Sequence, residues 1–290
     1  MNEPGTGEWG LPCRSLTPRE FEAIRRLAYE HFGLDLRSGK EQLVAARLGK
    51  KIREAHFRSF EEYYRYVRED ATGEALVGMI DALTTNHTAF FREAAHFEFL
   101  RLTVLPALAG RERFRIWSAA CATGEEPYTI AICVLDELGP AAAGRVQILA
   151  TDISTRALHA ARTGIYAAER CETIPPATAR KHLLRGGGRY RVKPALSAML
   201  EFHRINLMEP FQHLGLFPAI FCRNVMIYFD RPTREGLVRR LARCLEPGGW
   251  LLVGHAESLT GIDHGLEYVR PAVYRQPCSL PEQPGGRRRG

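Results

Sequence analysis

The chain has 290 residues, 45% of them apolar and 25% charged, enough to bury a sizeable core; a largely disordered protein is excluded. No run of 18 apolar residues occurs, since even the stretch 130–135 is closed by Asp136, so no transmembrane helix is expected. The formal charge is +7 and thirty-five of the forty basic residues are arginine, which points to an anionic partner: nucleic acid, phosphate or an acidic protein surface.

The first eight residues carry neither a basic n-region nor an apolar h-region, so no secretory signal is expected and the chain is read as cytoplasmic. Cys13, Cys121, Cys133, Cys171, Cys222, Cys244 and Cys278 show no C-x-x-C spacing; they read as reduced thiols, not as a disulfide frame or a metal site.

Residues up to about 85 read as helical. Thr17-Pro18-Arg19-Glu20 combines an N-cap, a proline at the first helical position and a capping-box glutamate; Phe21, Ile24 and Leu27 recur until Gly33, a C-cap. A second helix is expected over 40–54, with Leu43, Val44, Leu48 and Ile52 apolar. Ser59 and Glu62 make another capping box, and Leu76, Met79, Ile80 and Leu83 mark a fourth helix. Residues 36–58 hold seven basic side chains (Arg37, Lys40, Arg47, Lys50, Lys51, Arg53, Arg58) against two acids, Glu41 and Glu54. This cluster is either a solvated helix face or a docking face for an acidic partner.

From Arg113 the pattern changes to short β-branched runs alternating with helices, the signature of a doubly wound parallel α/β sheet. Strands are expected at 114–117, 146–150, 202–205, 219–221 and 250–253, with helices near 125–138, 154–162 and 232–245. A closing hairpin is expected from 268–269 and 272–275. Residues 164–202, with a short helix to Leu184 and the glycines 186–188 before Tyr190-Arg191-Val192, break the rhythm and read as an inserted subdomain with a hairpin.

Ligands of such sheets bind outside the carboxyl ends of the strands. The first expected strand runs into Ser118-Ala119-Ala120-Cys121-Ala122-Thr123-Gly124-Glu125-Glu126, whose small residues let backbone approach a ligand. It is neither G-x-G-x-x-G nor a G-K-[ST] loop, and two acids at a helix start would repel a pyrophosphate. Asp152 ends the second strand, where an acid suits ribose hydroxyls; Asn206-Leu207 follow the third; Arg223-Asn224 and Tyr228 follow the fourth. Polar residues at four successive carboxyl ends point to one adenosine-type ligand.

Three strings, TTNHTAFFRE (84–93), WSAACATGEEPYT (117–129) and FCRNVMIYFD (221–230), together resemble the chemotaxis receptor methyltransferases of the CheR family, over about residues 16–276. The resemblance implies a Rossmann-like class I methyltransferase domain over 83–276 with an inserted β-subdomain at about 165–201. It also implies a small all-α receptor-docking domain over 12–82; residues 277–290 read as a flexible tail. The implied reaction is methyl transfer from S-adenosylmethionine to glutamate carboxylates of chemoreceptors, giving glutamate methyl esters and S-adenosylhomocysteine, with no metal. The implied cofactor-binding residues are Asn86, Thr88, Arg92, Glu126, Asp152, Asn206, Leu207, Arg223 and Asn224; which of Glu125 and Glu126 faces the ligand stays open. Arg92, gripping either the substrate carboxylate or the cofactor, and Tyr228, near the transferred methyl, are the catalytic candidates.

The implied partner is an acidic receptor helix, met by Arg47, Lys50, Lys51 and Arg53 of the basic helix; nucleic acid and membrane insertion are not expected, and the chain is read as a monomer. Some members use the inserted subdomain to capture a receptor tail peptide by strand addition, and those carry a longer hairpin loop. Here 184–192 is shorter, so no peptide tether is expected. A methyltransferase for small molecules or RNA and a non-catalytic cofactor-binding adaptor are the alternatives.

Overall fold

The computed structural model describes residues 15–84 and 88–278. The chain forms two compact units that divide between Thr85 and Asn86.

Among the described residues the first unit holds four helices: α1 (Pro18–Phe32), α2 (Glu41–Glu54), α3 (Phe60–Glu69) and α4 (Glu74–Leu83). The expected capping box opens α1: Thr17 Oγ1 accepts the Glu20 N–H, and the Glu20 carboxylate takes the Thr17 N–H at 2.8 Å. Gly33 ends it at φ 65°. At α3 the box is only half made. Ser59 accepts the Glu62 N–H, but the Glu62 carboxylate accepts from Arg58 N–H at 2.7 Å, one residue further back. Ile24, Val44, Leu48, Ile52 and Met79 are fully buried. The basic face of α2 is not uniform. Arg47 Nη1 donates to the Leu83 carbonyl, and the Lys51 ammonium lies against Gly78, whereas Lys50 and Arg53 are exposed.

The second unit opens with a helix that the sequence reading did not contain: α5 (Ala94–Phe99) runs through a π-helical turn (Leu100–Val104) into α6 (Leu105–Leu108). Pro106 lacks the N–H that a regular ladder would use, and the helix widens just before it.

The doubly wound sheet then follows in β1 (Phe114–Ala119), α7 (Glu125–Leu138), β2 (Val146–Asp152) and α8 (Thr155–Thr163). The insertion comprises β3 (Ile165–Ala167), α9 (Pro176–His182), β4 (Leu183–Gly186), β5 (Arg189–Val192) and α10 (Pro194–Ser197). The chain rejoins the main sheet in β6 (Leu200–Arg204) and closes with β7 (Phe217–Cys222), α11 (Arg231–Ala242), β8 (Leu245–Val253), β9 (Glu267–Arg270) and β10 (Val273–Arg275).

The seven strands are ordered β6-β2-β1-β7-β8-β10-β9. The first five are parallel and β10 is antiparallel to both neighbours, which is the expected closing hairpin. The chain winds outward from β1 through β2 to β6, then returns to β7. The strand order therefore switches between β1 and β7, the place where such sheets bind ligands. Continuous burial of β7, all six residues, fits a strand covered on both faces.

Three expectations are corrected. β8 begins at Leu245, not Trp250, because the register jumps from Phe217↔Leu245 to Ala219↔Trp250 and leaves Glu246-Pro247-Gly248-Gly249 as an irregular bend. Accordingly α11 stops at Ala242. In the insertion the helix ends at His182, and Leu183–Gly186 is a strand of a three-stranded antiparallel sheet, β3-β5-β4. Its hairpin turns on Gly187 and Gly188, φ 55° and 71°, as a two-residue connection with both central residues left-handed requires.

Candidate active site

Backbone strain concentrates at the carboxyl edge of the sheet. Of the seven described non-glycine residues with positive φ, five lie in the segments 91–93, 120–122 and 224: Phe91, Glu93, Ala120, Ala122 and Asn224. A left-handed alanine costs about 1–2 kcal/mol, so its surroundings must hold it there. Around β1's exit they do. The Cys121 N–H donates to the Thr151 carbonyl at 2.8 Å, the Ala122 N–H to Asp152 Oδ2 at 2.8 Å, and the Tyr166 hydroxyl to the Thr123 carbonyl at 2.8 Å. Gly124, at φ 97°, closes the loop; a Cβ there would stand 2.8 Å from the Ala161 Cβ and 2.9 Å from the Tyr166 hydroxyl.

The two acids that open α7 have separate surroundings. Glu125 is completely buried, accepts from Thr123 Oγ1 at 2.8 Å and pairs with Arg170 of the insertion. Glu126 turns to the strand ends: Ser118 Oγ donates to one oxygen at 2.7 Å and Arg223 Nη1 to the other at 2.8 Å. The spacing left the choice between them open. The structure puts Glu126 at the edge where β1 meets β7.

Arg223 is the hub of this edge. Its side chain is buried, lies over the Phe97 ring at 5.3 Å, and bridges Glu126 to Glu93 Oε2 at 3.1 Å while also donating to the Arg92 carbonyl. Asn224 Nδ2 donates to the other Glu93 oxygen at 3.2 Å. Burial pushes the Glu93 carboxyl up, but the Asn224 amide and the Arg223 guanidinium outweigh it and hold the group below its ordinary value. His96, one turn along α5, is fully buried; burial and the Arg223 charge lower it to about 3, so it is neutral near pH 7. Ligand atoms of Glu93, His96 and His255 lie within 4.8 Å of one another, beside the Arg223 guanidinium that pairs with Glu93.

The remaining candidates are placed as follows. Asp152 accepts from both the Ala122 and Ser154 N–H groups. Asn206 Oδ1 accepts the Met208 N–H at 3.0 Å just past β6, and Leu207 is buried beside Trp117 and Phe211, its carbonyl held by Arg240 at 2.6 Å. Thr88 and Arg92 are half-buried; Tyr228 is half-buried in a short turn (Met226–Tyr228) and packs on the cluster of Trp117 and Phe229. Asn86 lies outside the described residues. Sequence reasoning missed Glu93, His96, Tyr166, Arg170 and Glu257. A signal existed for two of them: Glu93 stands inside the TTNHTAFFRE string, and Glu257 lies a few residues past the carboxyl end of the fifth parallel strand, at the same edge where Asp152 closes the second.

The family described as "CheR methyltransferase, all-alpha domain" matches residues 19–84, and "CheR methyltransferase, SAM binding domain" matches residues 86–274. The chain belongs to the CheR methyltransferases. It is 38% identical over 271 residues to the chemotaxis protein methyltransferase of Borreliella burgdorferi, covering 90% of this chain and 95% of that one. It is 40% identical over 263 residues to chemotaxis protein methyltransferase 2 of Pseudomonas aeruginosa (89% and 93%) and 36% identical over 270 residues to the Escherichia coli enzyme (90% and 91%).

Asp152, the 120–124 loop and Glu126 stand together at the carboxyl edge of the sheet, within the domain described as SAM binding. Among the described residues no helix is long and apolar enough to cross a membrane.

Proposed function

We propose that this CheR methyltransferase esterifies glutamate side chains of chemoreceptors in the cytoplasm, acting as a monomer and independently of a metal. The observation that carries the reading is the Arg92–Glu93 segment, tied by Arg223 and Asn224 to the carboxyl ends of the sheet, within the family's cofactor-binding domain.

Asp152 and Glu126 would hold the adenosine hydroxyls, and Asn86, Thr88, Asn206, Leu207, Arg223 and Asn224 would line the rest of the cofactor. Bound there, S-adenosylmethionine supplies a methyl already activated on a sulfonium. A glutamate carboxylate, with a reference pKa of about 4.3, is ionised at neutral pH, so no residue has to act as base. The protein's contribution is alignment and exclusion of water, worth about 7–11 kcal/mol in well-oriented systems. Arg92 would grip the substrate carboxylate in a forked pair while Arg223 fixes its backbone, and the Tyr228 hydroxyl would face the transferred methyl.

Lys50 and Arg53, the outward members of the basic face of α2, would steer an acidic receptor helix, with Arg47 and Lys51 supporting the helix instead. The two-glycine hairpin of the insertion favours recognition without a peptide tether. The test is Arg92→Lys. Methyl transfer should fall well below wild type while S-adenosylhomocysteine binding in calorimetry stays nearly unchanged, because lysine cannot make the forked pair. Equal losses in both would assign Arg92 to the cofactor.

A further inference from the structure

Past the end of β8 the chain reads Gly254-His255-Ala256-Glu257, and the Glu257 carboxylate turns back into the protein, 1% exposed. One of its oxygens accepts the N–H groups of Asn224 and Gly254, both at 2.7 Å; the other accepts the Ile227 N–H at 3.1 Å. No basic side chain pairs with it among the described residues. A buried carboxylate therefore holds its place on backbone donors alone, drawn from the exits of two neighbouring strands, β7 and β8.

The surroundings are shaped to this contact. Asn224 adopts φ 59°, which directs its N–H to Glu257 while its side-chain amide reaches Glu93. Gly254 has no room for a side chain: a Cβ would stand 2.7 Å from Glu257 Oε2 and 2.6 Å from Asn224 Nδ2. The turn fastened in this way carries Asn224 at one end and Tyr228 at the other.

We propose that Glu257 is a positioning residue for methyl transfer: its carboxylate sets the 224–228 turn so that Asn224 and Tyr228 meet the cofactor. The inference rests on the cofactor-binding reading above, and it reaches the cofactor through the turn, not by contact. Glutamine has nearly the same shape but only one acceptor oxygen, and its NH2 would face backbone donors, so the turn cannot keep all three bonds.

The experiment is Glu257→Gln in the full chain. Its folding is checked by circular dichroism, S-adenosylhomocysteine affinity by calorimetry, and steady-state methyl transfer with each substrate varied. The expected result is cofactor affinity on the order of tenfold weaker and a raised KM for S-adenosylmethionine, with the KM for receptor unchanged. Wild-type affinity in a folded Glu257→Gln protein, or parallel rises in both KM values, would overturn the proposal. If wild type itself fails to bind S-adenosylhomocysteine, the cofactor reading fails instead. Should the variant not fold, hydrogen exchange in wild type decides: the Asn224, Ile227 and Gly254 amides should be protected, and exchange at unstructured rates would contradict the role.

Discussion

At the end of β2 one carboxylate serves two ends. Asp152 fixes the backbone of the β1 exit loop through the Ala122 N–H and opens α8 through the Ser154 N–H, while its position suits ribose hydroxyls. Asp152→Ala should therefore weaken S-adenosylhomocysteine binding by about 1–3 kcal/mol for the lost acceptor, and lower the melting temperature as well. Calorimetry paired with a thermal melt checks both; unchanged affinity would place the ligand elsewhere. Ala122 is held left-handed with its N–H on the Asp152 carboxylate, so removing that carboxylate frees the residue to relax.

Among the elements, the insertion reaches the β1 exit loop through β3 and the turn after it: Tyr166 bonds the Thr123 carbonyl and Arg170 pairs with Glu125. Tyr166→Phe removes one buried bond without emptying the site, so cofactor KM should rise a few-fold while the fold survives; an unchanged KM would mean the loop needs no support from the insertion. Element α2 makes a different prediction. Lys50→Glu with Arg53→Glu should slow receptor methylation, more at low salt than at high, and leave S-adenosylhomocysteine binding alone. Unaltered receptor methylation at low ionic strength would make this a solvated face only. The helices of the first unit and the parallel strands were legible because their periodicities, caps and apolar runs are local. What was not legible depended on partners distant in sequence. The start of β8 is hidden behind Pro247 and two glycines that read as a turn, yet Leu245 pairs with Phe217 across the sheet. Ile165–Ala167 is too short to show a period and forms a strand only against β5. The polar edge residues were visible at strand ends, but the hub role of Arg223 and the closure by Glu93 and Glu257 needed the folded sheet.

At the scale of the whole molecule, buried ionisable groups tie stability to pH. His96 is held neutral to about pH 3, whereas the unfolded chain takes up its proton near the ordinary value of 6.5. The unfolded state then binds more protons below that pH, so stability falls as pH drops from 6.5, by up to about 1.4 kcal/mol per pH unit. Glu93, held below its ordinary 4.5, acts in the same direction: its contribution is present above that value and is lost as pH falls through its lower folded value. Melting temperature should thus decline from pH 7 to pH 4; His96→Phe should flatten the profile between pH 6.5 and 4.5 and make it shallower below 4.5, where the loss due to Glu93 remains. An identical profile in the variant would remove His96 as the cause. The proposed reaction can be read on the receptor itself. The purified full chain is incubated with methyl-tritiated S-adenosylmethionine and membranes carrying a chemoreceptor, beside membranes whose receptor has alanine at its methylation glutamates. Base-labile label is expected on the intact receptor and none on the alanine receptor; equal labelling of both, or label only on RNA or small molecules, would rule out glutamate methylation of the receptor.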